Sequence, residues 1–355
     1  MTQPLSGIKV LDLTNLLPGP LATLMLAEAG AQIIKIERPG GDDLRFYPPE
    51  WQGTGAAFGL LNAGKTAITL DLKAEQGLAQ LHAMLEDADI LVEQFRPGAM
   101  KKLGLGYETL RKDHPRLIYC SITGYGQSGP RAQQAGHDLN YIGNTGLLGL
   151  APGPADRPVV PPALIADIGG GAFPAVINIL LALRARDQTG QGCHLDIAMT
   201  DAMFTFAWHP LASTWASGKA PDAGEGELAG GSPRYRLYPS KDGVPIACAP
   251  LEDHFWERFT SILGLDTNAS GNAVAAAIAT RTAAEWEPVF AKADCCVTVL
   301  RSLDEAQRDP HFMGRGLFER GVRGVNGGSM PALPLPIAPQ FRDSPEQEKA
   351  VPPLL

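Results

Sequence analysis

The chain has 355 residues, 45% of them hydrophobic, which is ample for a large core and by length suggests about two domains. Its 30 basic residues against 38 acidic ones, with no dense Lys/Arg run, argue against a nucleic-acid partner held by phosphate charge. No apolar run approaches the roughly 18 residues that span a bilayer, and "MTQPLSGIKVLDLT" lacks a basic segment followed by an apolar one, so neither a membrane nor a secretory signal is expected.

In chain order, "GIKVLDLT" (7–14) alternates and runs apolar like a buried strand. "LLPGP" reads as a turn, residues 21–31 as a helix closed by Gly30, and "QIIKIERP" (32–39) as a second strand ended by proline. Such a β-α-β unit belongs in a parallel sheet covered by helices. Strands at 66–72, 89–95, 116–123 and 193–199, with helices at 74–88 and 172–192, continue the pattern and lead into the apolar helix "DAMFTFAWHPLAS". Composition then shifts, and the polar, glycine-rich "SGKAPDAGEGELAGGSP" (217–233) reads as a linker. Beyond it a strand pair in "RYRLYPSKDGVPIACA" and helices in "EDHFWERFTSILG" and "TAAEWEPVFAKA" make a smaller α+β unit. The proline-rich tail from Val325 is expected to pack back on the first domain. The expected fold class is α/β, divided into a large domain at 1–200, a linker at 201–228, a small domain at 229–324 and a returning segment at 325–355.

Five cysteines without a C-x-x-C spacing read as reduced, buried thiols in a cytoplasmic protein. Seven scattered histidines, none paired at i,i+4, give no support for a metal site.

Two stretches imitate phosphate motifs. "GLLNAGKT" (59–66) fits G-x-x-x-x-G-K-[ST], but the expected order around it is inverted, with a strand after it and none before. It reads as a surface loop. "GYGQSG" (124–129) fits G-x-G-x-x-G and follows a strand, but Pro130 and polar residues come next where a dinucleotide fingerprint opens a helix. It reads as a turn.

Three places carry candidate chemistry. "AGHDLNYIG" (135–143) sets His137 beside Asp138 in a glycine-flanked loop, the kind that presents side chains into a cleft. Histidine is the commonest general acid/base, and a hydrogen-bonded structural histidine is the plain alternative. "LIADIGGGA" (164–172) places Asp167 between an apolar run and three glycines, as a site carboxylate or a helix N-cap. Glu252 opens the helix of "APLEDHFWERF", where acidic residues are common for the helix dipole alone. The apolar stretches "NTGLLGLAPG" (144–153) and "AMFTFAWHP" (202–210) serve equally as acyl-pocket lining or as core.

Taken together, "GIKVLDLTNLLPGPLATLMLAEAGAQIIKIERPGGDDLR", "LNAGKTAITLDLK", "DILVEQFRPGAMKKLGLGYETL", "LIYCSITGYGQSGP", "AGHDLNYIGNTGLL" and "ADIGGGAFPAVINILLAL" closely resemble the family III (CaiB/BaiF) CoA-transferases, the group that includes α-methylacyl-CoA racemase. The resemblance runs over most of the chain and is strongest from Gly7 to about Thr200. It implies a Rossmann-like, CoA-binding large domain with a parallel sheet, a smaller domain reached by a linker, and an interlocked homodimer. It implies CoA contacts at Arg38, at Leu70, Asp71, Leu72 and Lys73, at Gln94, Phe95 and Arg96, at Lys102, and around the histidine at Gly136, Asp138, Leu139, Asn140 and Tyr141. Relatives often have arginine where Lys102 stands, and lysine keeps the charge but lacks the bidentate fork. Lys65 lies close by in sequence.

The resemblance also implies two chemistries. In the racemases a histidine in G-H-D-x-N-Y and an aspartate move the α-proton of a thioester, and here G-H-D-L-N-Y supplies His137, with Asp167 as the second group. Glu252 matches a further glutamate of the racemases, although the proline that often follows it is replaced by Asp253. In the transferases the aspartate attacks the thioester and carries CoA as an aspartyl thioester, with His137 merely structural. A non-catalytic acyl-CoA binding protein is the third reading, which the intact His137, Asp167 and Glu252 set argues against. No cofactor beyond the CoA of the substrate is expected.

Overall fold

The computed structural model describes residues 3–151, 153 and 159–354. Six strands form one wholly parallel sheet: β1 (Lys9–Leu13), β2 (Gln32–Glu37), β3 (Thr66–Thr69), β4 (Ile90–Glu93), β5 (Ile118–Thr123) and β6 (His194–Ala198). Their order is β3-β2-β1-β4-β5-β6. The chain winds outward from β1 to β3, crosses back to β4, and winds the other way to β6. The connections leaving β1 and β4 therefore diverge, and the carboxyl ends of those neighbours border a crevice, the usual ligand position in such sheets. Their register, Val10 on Ile90 through Leu13 on Glu93, brings Thr14 and Gln94 beside each other as the chain leaves the sheet.

Parallel strands buried on both faces read as continuous apolar runs, and Ile90, Leu91 and Val92 are all fully buried. The helix α1 (Pro18–Glu28) is buried along its whole length, so it lacks an amphipathic stripe. It starts earlier than expected because Pro18 and Pro20 lie in the first turn, where a missing N–H costs nothing. Gly30, at φ +104°, turns the chain toward β2.

The segment expected to be a surface loop is a buried helix, α2 (Ala56–Asn62), preceded by the two-residue strands Glu50–Trp51 and Thr54–Gly55. "GLLNAGKT" is thus the end of a helix, a turn and the start of β3, with no helix N-terminus facing it; a phosphate loop is excluded. After β3 come α3 (Glu75–Leu85), α4 (Ala99–Lys102) and α5 (Tyr107–Asp113), which pack Leu81, Leu85, Met100 and Leu110 against Leu11, Leu91 and Tyr119.

"GYGQSG" follows β5 and leads through bends to α6 (Asp138–Asn144), so it opens no helix at its glycines. A π-helical turn (Ala166–Ala172) runs directly into α7 (Phe173–Thr189). Joined, they make a helical run, Ala166–Thr189, long and apolar enough by length and composition to cross a bilayer, contrary to the sequence expectation; half of its most apolar window is buried. Its packing against α1 and β5 accounts for the buried side.

The chain packs as two compact units. The first holds the described residues up to Asn144, Pro162–Met203, and the described residues from His311 onward. The second holds the described part of Thr145–Pro161 and Phe204–Pro310. Past β6, α8 (Asp201–Phe206) and α9 (Trp208–Ser217) precede an antiparallel sheet of β7 (Arg236–Pro239), β8 (Pro245–Cys248) and β9 (Val297–Val299), ordered β9-β8-β7. With α10 (Asp253–Leu263), α11 (Gly271–Ile278) and α12 (Ala283–Ala293) it encloses Tyr238, Ile246, Trp256, Phe259, Val274 and Trp286.

The return to the first unit begins at His311 and not at Val325, because β10 (Gly321–Arg323) already pairs with β11 (Ser329–Pro331) and β12 (Lys349–Ala350). Buried Glu28 of α1 receives Arg320, Arg342 and Lys349 from this segment. Arg45 donates to the carbonyls of Pro352 and Pro353.

All five cysteines are free; Cys120, Cys248 and Cys295 are buried as expected, but Cys193 is half-buried and Cys296 exposed.

Candidate active site

The crevice at the end of β1 is built on a buried charge cluster. Asp12 accepts from the Thr14 amide (3.0 Å) and hydroxyl (2.5 Å) and from the Thr23 hydroxyl (2.6 Å). Lys65 pairs with Asp12 at 3.2 Å, both side chains fully buried. Lys35 pairs with Asp42 at 2.8 Å and also donates to the Thr14 carbonyl. Burial alone would raise the Asp12 carboxyl, but Lys65 and Lys35 overcome it and hold it at about 2. Burial lowers Lys65 to about 8 despite Asp12, which leaves it charged at neutral pH. Lys65 is therefore spent inside the protein and is no CoA ligand.

On this base the chain runs through Asn15 and Leu16, whose φ of +56° is left-handed, to Pro18 at the start of α1; all three line a cleft of about 460 Å³. The neighbouring wall comes from the end of β4. Glu93 accepts from the Phe95 amide (2.8 Å) and Gln94 from the Gly19 amide (3.1 Å), which fixes the run carrying Phe95, Arg96 and Pro97 into the cleft.

The end of β5 supplies Gly124 and Tyr125. A Cβ at Gly124 would lie 2.4 Å from the Tyr141 ring and one at Gly136 2.7 Å from it, so both glycines exist to admit that ring. Tyr125 meets Tyr141 edge-on at 5.3 Å. Tyr141 donates to the Gly136 carbonyl, and burial, with the nearby carboxylate of Asp167, pushes its phenol up to about 12, so it stays protonated.

His137 stands just before α6, its amide held by the Asn140 side chain at 3.0 Å, and it lines the cleft with its ring side exposed. Asp138 is buried, and its carboxylate accepts from the amides of Ala166 (2.6 Å) and Asp167 (3.0 Å). Those two bonds bring "GHD" and "ADIGGGA" together and place Asp167 in the same cleft as His137. Gly170 and Gly171 let the π turn close on Met199 and Pro18; a Cβ at Gly170 would sit 2.3 Å from the Met199 carbonyl oxygen. Burial, then the negative charge of Asp138, raises Asp167 to about 6, with His137 acting in the opposite direction.

The expected CoA contacts divide. Gln94, Phe95, Arg96, Gly136, Asn140 and Tyr141 line the cleft with His137 and Asp167. Arg38, ion-paired with Asp43, borders a smaller recess of about 110 Å³ that shares Asn15, Gln94 and Phe95 with the cleft. Asp71, Lys73, Lys102 and Leu139 are exposed and line neither hollow. The Leu70 side chain is in the core and its amide donates to the Glu37 carbonyl. Leu72 packs against the same core. Asp138 is buried, and both amide bonds its carboxylate accepts are internal.

Glu252 belongs to the second unit, exposed at the N-terminal boundary of α10 without a capping bond. The stretches that read as acyl lining or core are mixed: Met203 and Ala207 are buried, Phe204, Phe206 and Trp208 are exposed, and Pro152 lies outside the described residues. The sequence reading missed Tyr125, Leu16, Asn15 and Met199 as cleft residues. The signal for the first was its place between Gly124 and Gly126, spacing that makes room for a ring.

The cleft thus holds an imidazole and a protonatable carboxyl on separate elements, with a cationic side chain, Arg96, at its border. Such a set can exchange protons with a bound carbon acid or use the carboxylate as a nucleophile. A family model described as CoA-transferase family III matches residues 5–355. Human alpha-methylacyl-CoA racemase is 34% identical over 330 residues, covering 88% of this chain and 82% of that protein. Acetyl-CoA:oxalate CoA-transferase of Acetobacter aceti is also 34% identical, over 99% of this chain and 93% of that protein. Among solved structures, a CAIB/BAIF family protein from Brucella suis superposes with a TM-score of 0.83 at 29% identity, over 98% of this chain and 96% of that one.

Proposed function

The chain belongs to CoA-transferase family III, whose members act on acyl-CoA thioesters as racemases or CoA-transferases, and we propose that this member is a racemase or epimerase of 2-methylacyl-CoA thioesters. The observation that supports this reading is the pairing of His137 with Asp167 in one cleft, linked by the two amide bonds that Asp138 accepts.

Inversion at the α-carbon needs a base on one face and an acid on the other. Neutral His137 takes the α-proton of one epimer, the C–H electrons pass into an enolate of the thioester, and protonated Asp167 returns a proton to the opposite face. For the other epimer Asp167 is the base and protonated His137 the acid. Reversal is efficient when the two groups have similar proton affinities. Asp167, raised to about 6, holds its proton far closer to neutral pH than an ordinary carboxyl does. Backbone N–H groups of the glycine-rich turns stabilise the enolate oxygen in this reading. Arg38, Arg96 and Lys102 hold the phosphates of CoA. In an interlocked homodimer the partner's small domain brings a glutamate, Glu252 by sequence, toward His137. We place the enzyme in the cytoplasm, with no cofactor beyond the CoA of its substrate.

A second reading rests on the Acetobacter relative, whose match spans nearly the whole chain. There ionised Asp167 attacks the thioester carbonyl and expels CoA thiolate to give a mixed anhydride, the thiolate attacks the aspartyl carbonyl and releases the acyl group as a carboxylate, and a second acid takes CoA from the aspartyl thioester by the same steps in reverse.

The test is incubation of a 2-methylacyl-CoA in D₂O with no acceptor acid. We expect α-deuterium incorporation with loss of chirality, reduced at least about 100-fold in His137→Ala and in Asp167→Asn. Transfer of labelled CoA to an added acid without α-exchange would make the protein a transferase.

A further inference from the structure

Lys65 belongs to a motif that no phosphate uses, yet its surroundings are built with care. Four oxygens lie within 3.2 Å of its ammonium: Asp12 Oδ2, the Pro20 carbonyl, Thr23 Oγ1 and Asn62 Oδ1. One side chain so ties β1, the first turns of α1 and the end of α2 to a single point. An apolar pair of the same size would fill this space without the desolvation of two charges. What charge adds is direction, and the direction leads to Thr14. Asp12 fixes its amide and hydroxyl, Lys35 fixes its carbonyl, and Gly19 lets α1 sit against its side chain, at 2.2 Å from where a Cβ would stand.

Two residues on, Leu16 lines the cleft at φ +56°. A branched side chain is disfavoured there because its Cβ crowds the following carbonyl. Such a residue persists only where its surroundings over-determine it, and such strain gathers at working sites. Here the surroundings are Thr14 on one side and, on the other, Gly19 held by Gln94.

We propose that Lys65 and Asp12 are positioning residues of the cleft, which through Thr14 fix the Asn15–Leu16 turn so that the Leu16 side chain forms a wall against the bound acyl thioester. The proposal deepens the functional reading above and rests on this cleft being the site of CoA-thioester chemistry.

The experiment compares full-length wild type with Lys65→Met/Asp12→Leu, which removes both charges together, and with Leu16→Gly. Turnover is measured in whichever CoA reaction the wild type performs, and amide hydrogen exchange over residues 14–19 is measured without substrate. We expect the double variant to exchange about tenfold faster in that segment and to lose kcat about tenfold or more, with KM within about twofold. Leu16→Gly is expected to keep or raise Tm, since glycine suits φ +56°, while kcat falls similarly. A folded double variant with wild-type exchange and kcat overturns the proposal. If the double variant does not fold, Leu16→Gly decides: wild-type kcat there overturns it equally. A wild type inactive in both CoA reactions sinks the functional reading instead, and the exchange data still judge the turn.

Discussion

Asp167 is exposed enough to reach a ligand and buried enough to resist ionisation, and the second property fixes how it responds to pH. Its carboxyl is raised from 3.8 to about 6, first by burial and then by Asp138. Below 3.8 it is neutral in folded and unfolded chains and contributes no penalty. Between 3.8 and 6 the unfolded chain ionises first, so stability falls as pH rises, and above 6 the full penalty is present. Asp167→Asn removes a titrating group but keeps the shape. Its Tm advantage over wild type should grow from pH 4 to pH 6.5, reaching about 2 °C or more, and then level off; a difference that ignores pH in calorimetric scans would refute the assignment. The residue was legible as a candidate because a carboxylate before three glycines is uncommon in a plain helix start. That its partner in the fold would be Asp138 was not legible, since the two lie far apart in sequence and only the packing joins them.

At the scale of elements, the site is the meeting of α6 with the π turn, and Asp138 makes the joint. Deleting its carboxylate leaves two amides unpaired, one of them on buried Ala166. Asp138→Ala should cost about 1–3 kcal/mol of stability in urea titrations and lower kcat by displacing Asp167, whereas Asp138→Asn, which retains an acceptor oxygen, should recover most of both. Equal loss in the two variants would mean that the negative charge, and not the bond, matters. The continuous apolar strands were readable here because burial on both faces imposes them, and with the helices between them they gave the β-α-β order. The helix α2 was not: its seven residues are too few for a helical period to show, and its glycine and asparagine resemble loop composition. The π turn left no periodic signal either, as its widened geometry is set by Met199 and Pro18 packing on Gly170 and Gly171.

At the scale of the molecule, the sequence-distant ends of the first unit are joined by charge. Glu28 is held below its ordinary 4.5 because Lys349 and Arg342 outweigh the opposing effect of its burial. The stability it contributes is present above 4.5 and is lost as pH falls below it. Glu28→Ala removes the carboxylate shared by Arg320, Arg342 and Lys349, leaving Arg320 and Lys349 their contacts with Asp343. It should cost about 3 kcal/mol and make the segment after Arg320 the first cut by a protease; an unchanged cleavage pattern would show that the tail is held by its strands alone. The composition shift past residue 216 was visible in the sequence. The start of the return at His311 was hidden, because short strands of two and three residues carry almost no pattern.

The clasp of Arg45 on the carbonyls of Pro352 and Pro353 has a consequence for how the protein is made. A ribosome delivers Arg45 some 307 residues before Pro352, and each proline is covered by the exit tunnel when it is added. The strands β1 to β6 can pair as they emerge, but the first unit stays open along α1 and Arg45 until the segment carrying Lys349, Pro352 and Pro353 has cleared the tunnel. Nascent chains arrested before Lys349 should therefore remain protease-sensitive around α1, and the newborn protein depends on chaperones for longer than its early, local strand order suggests.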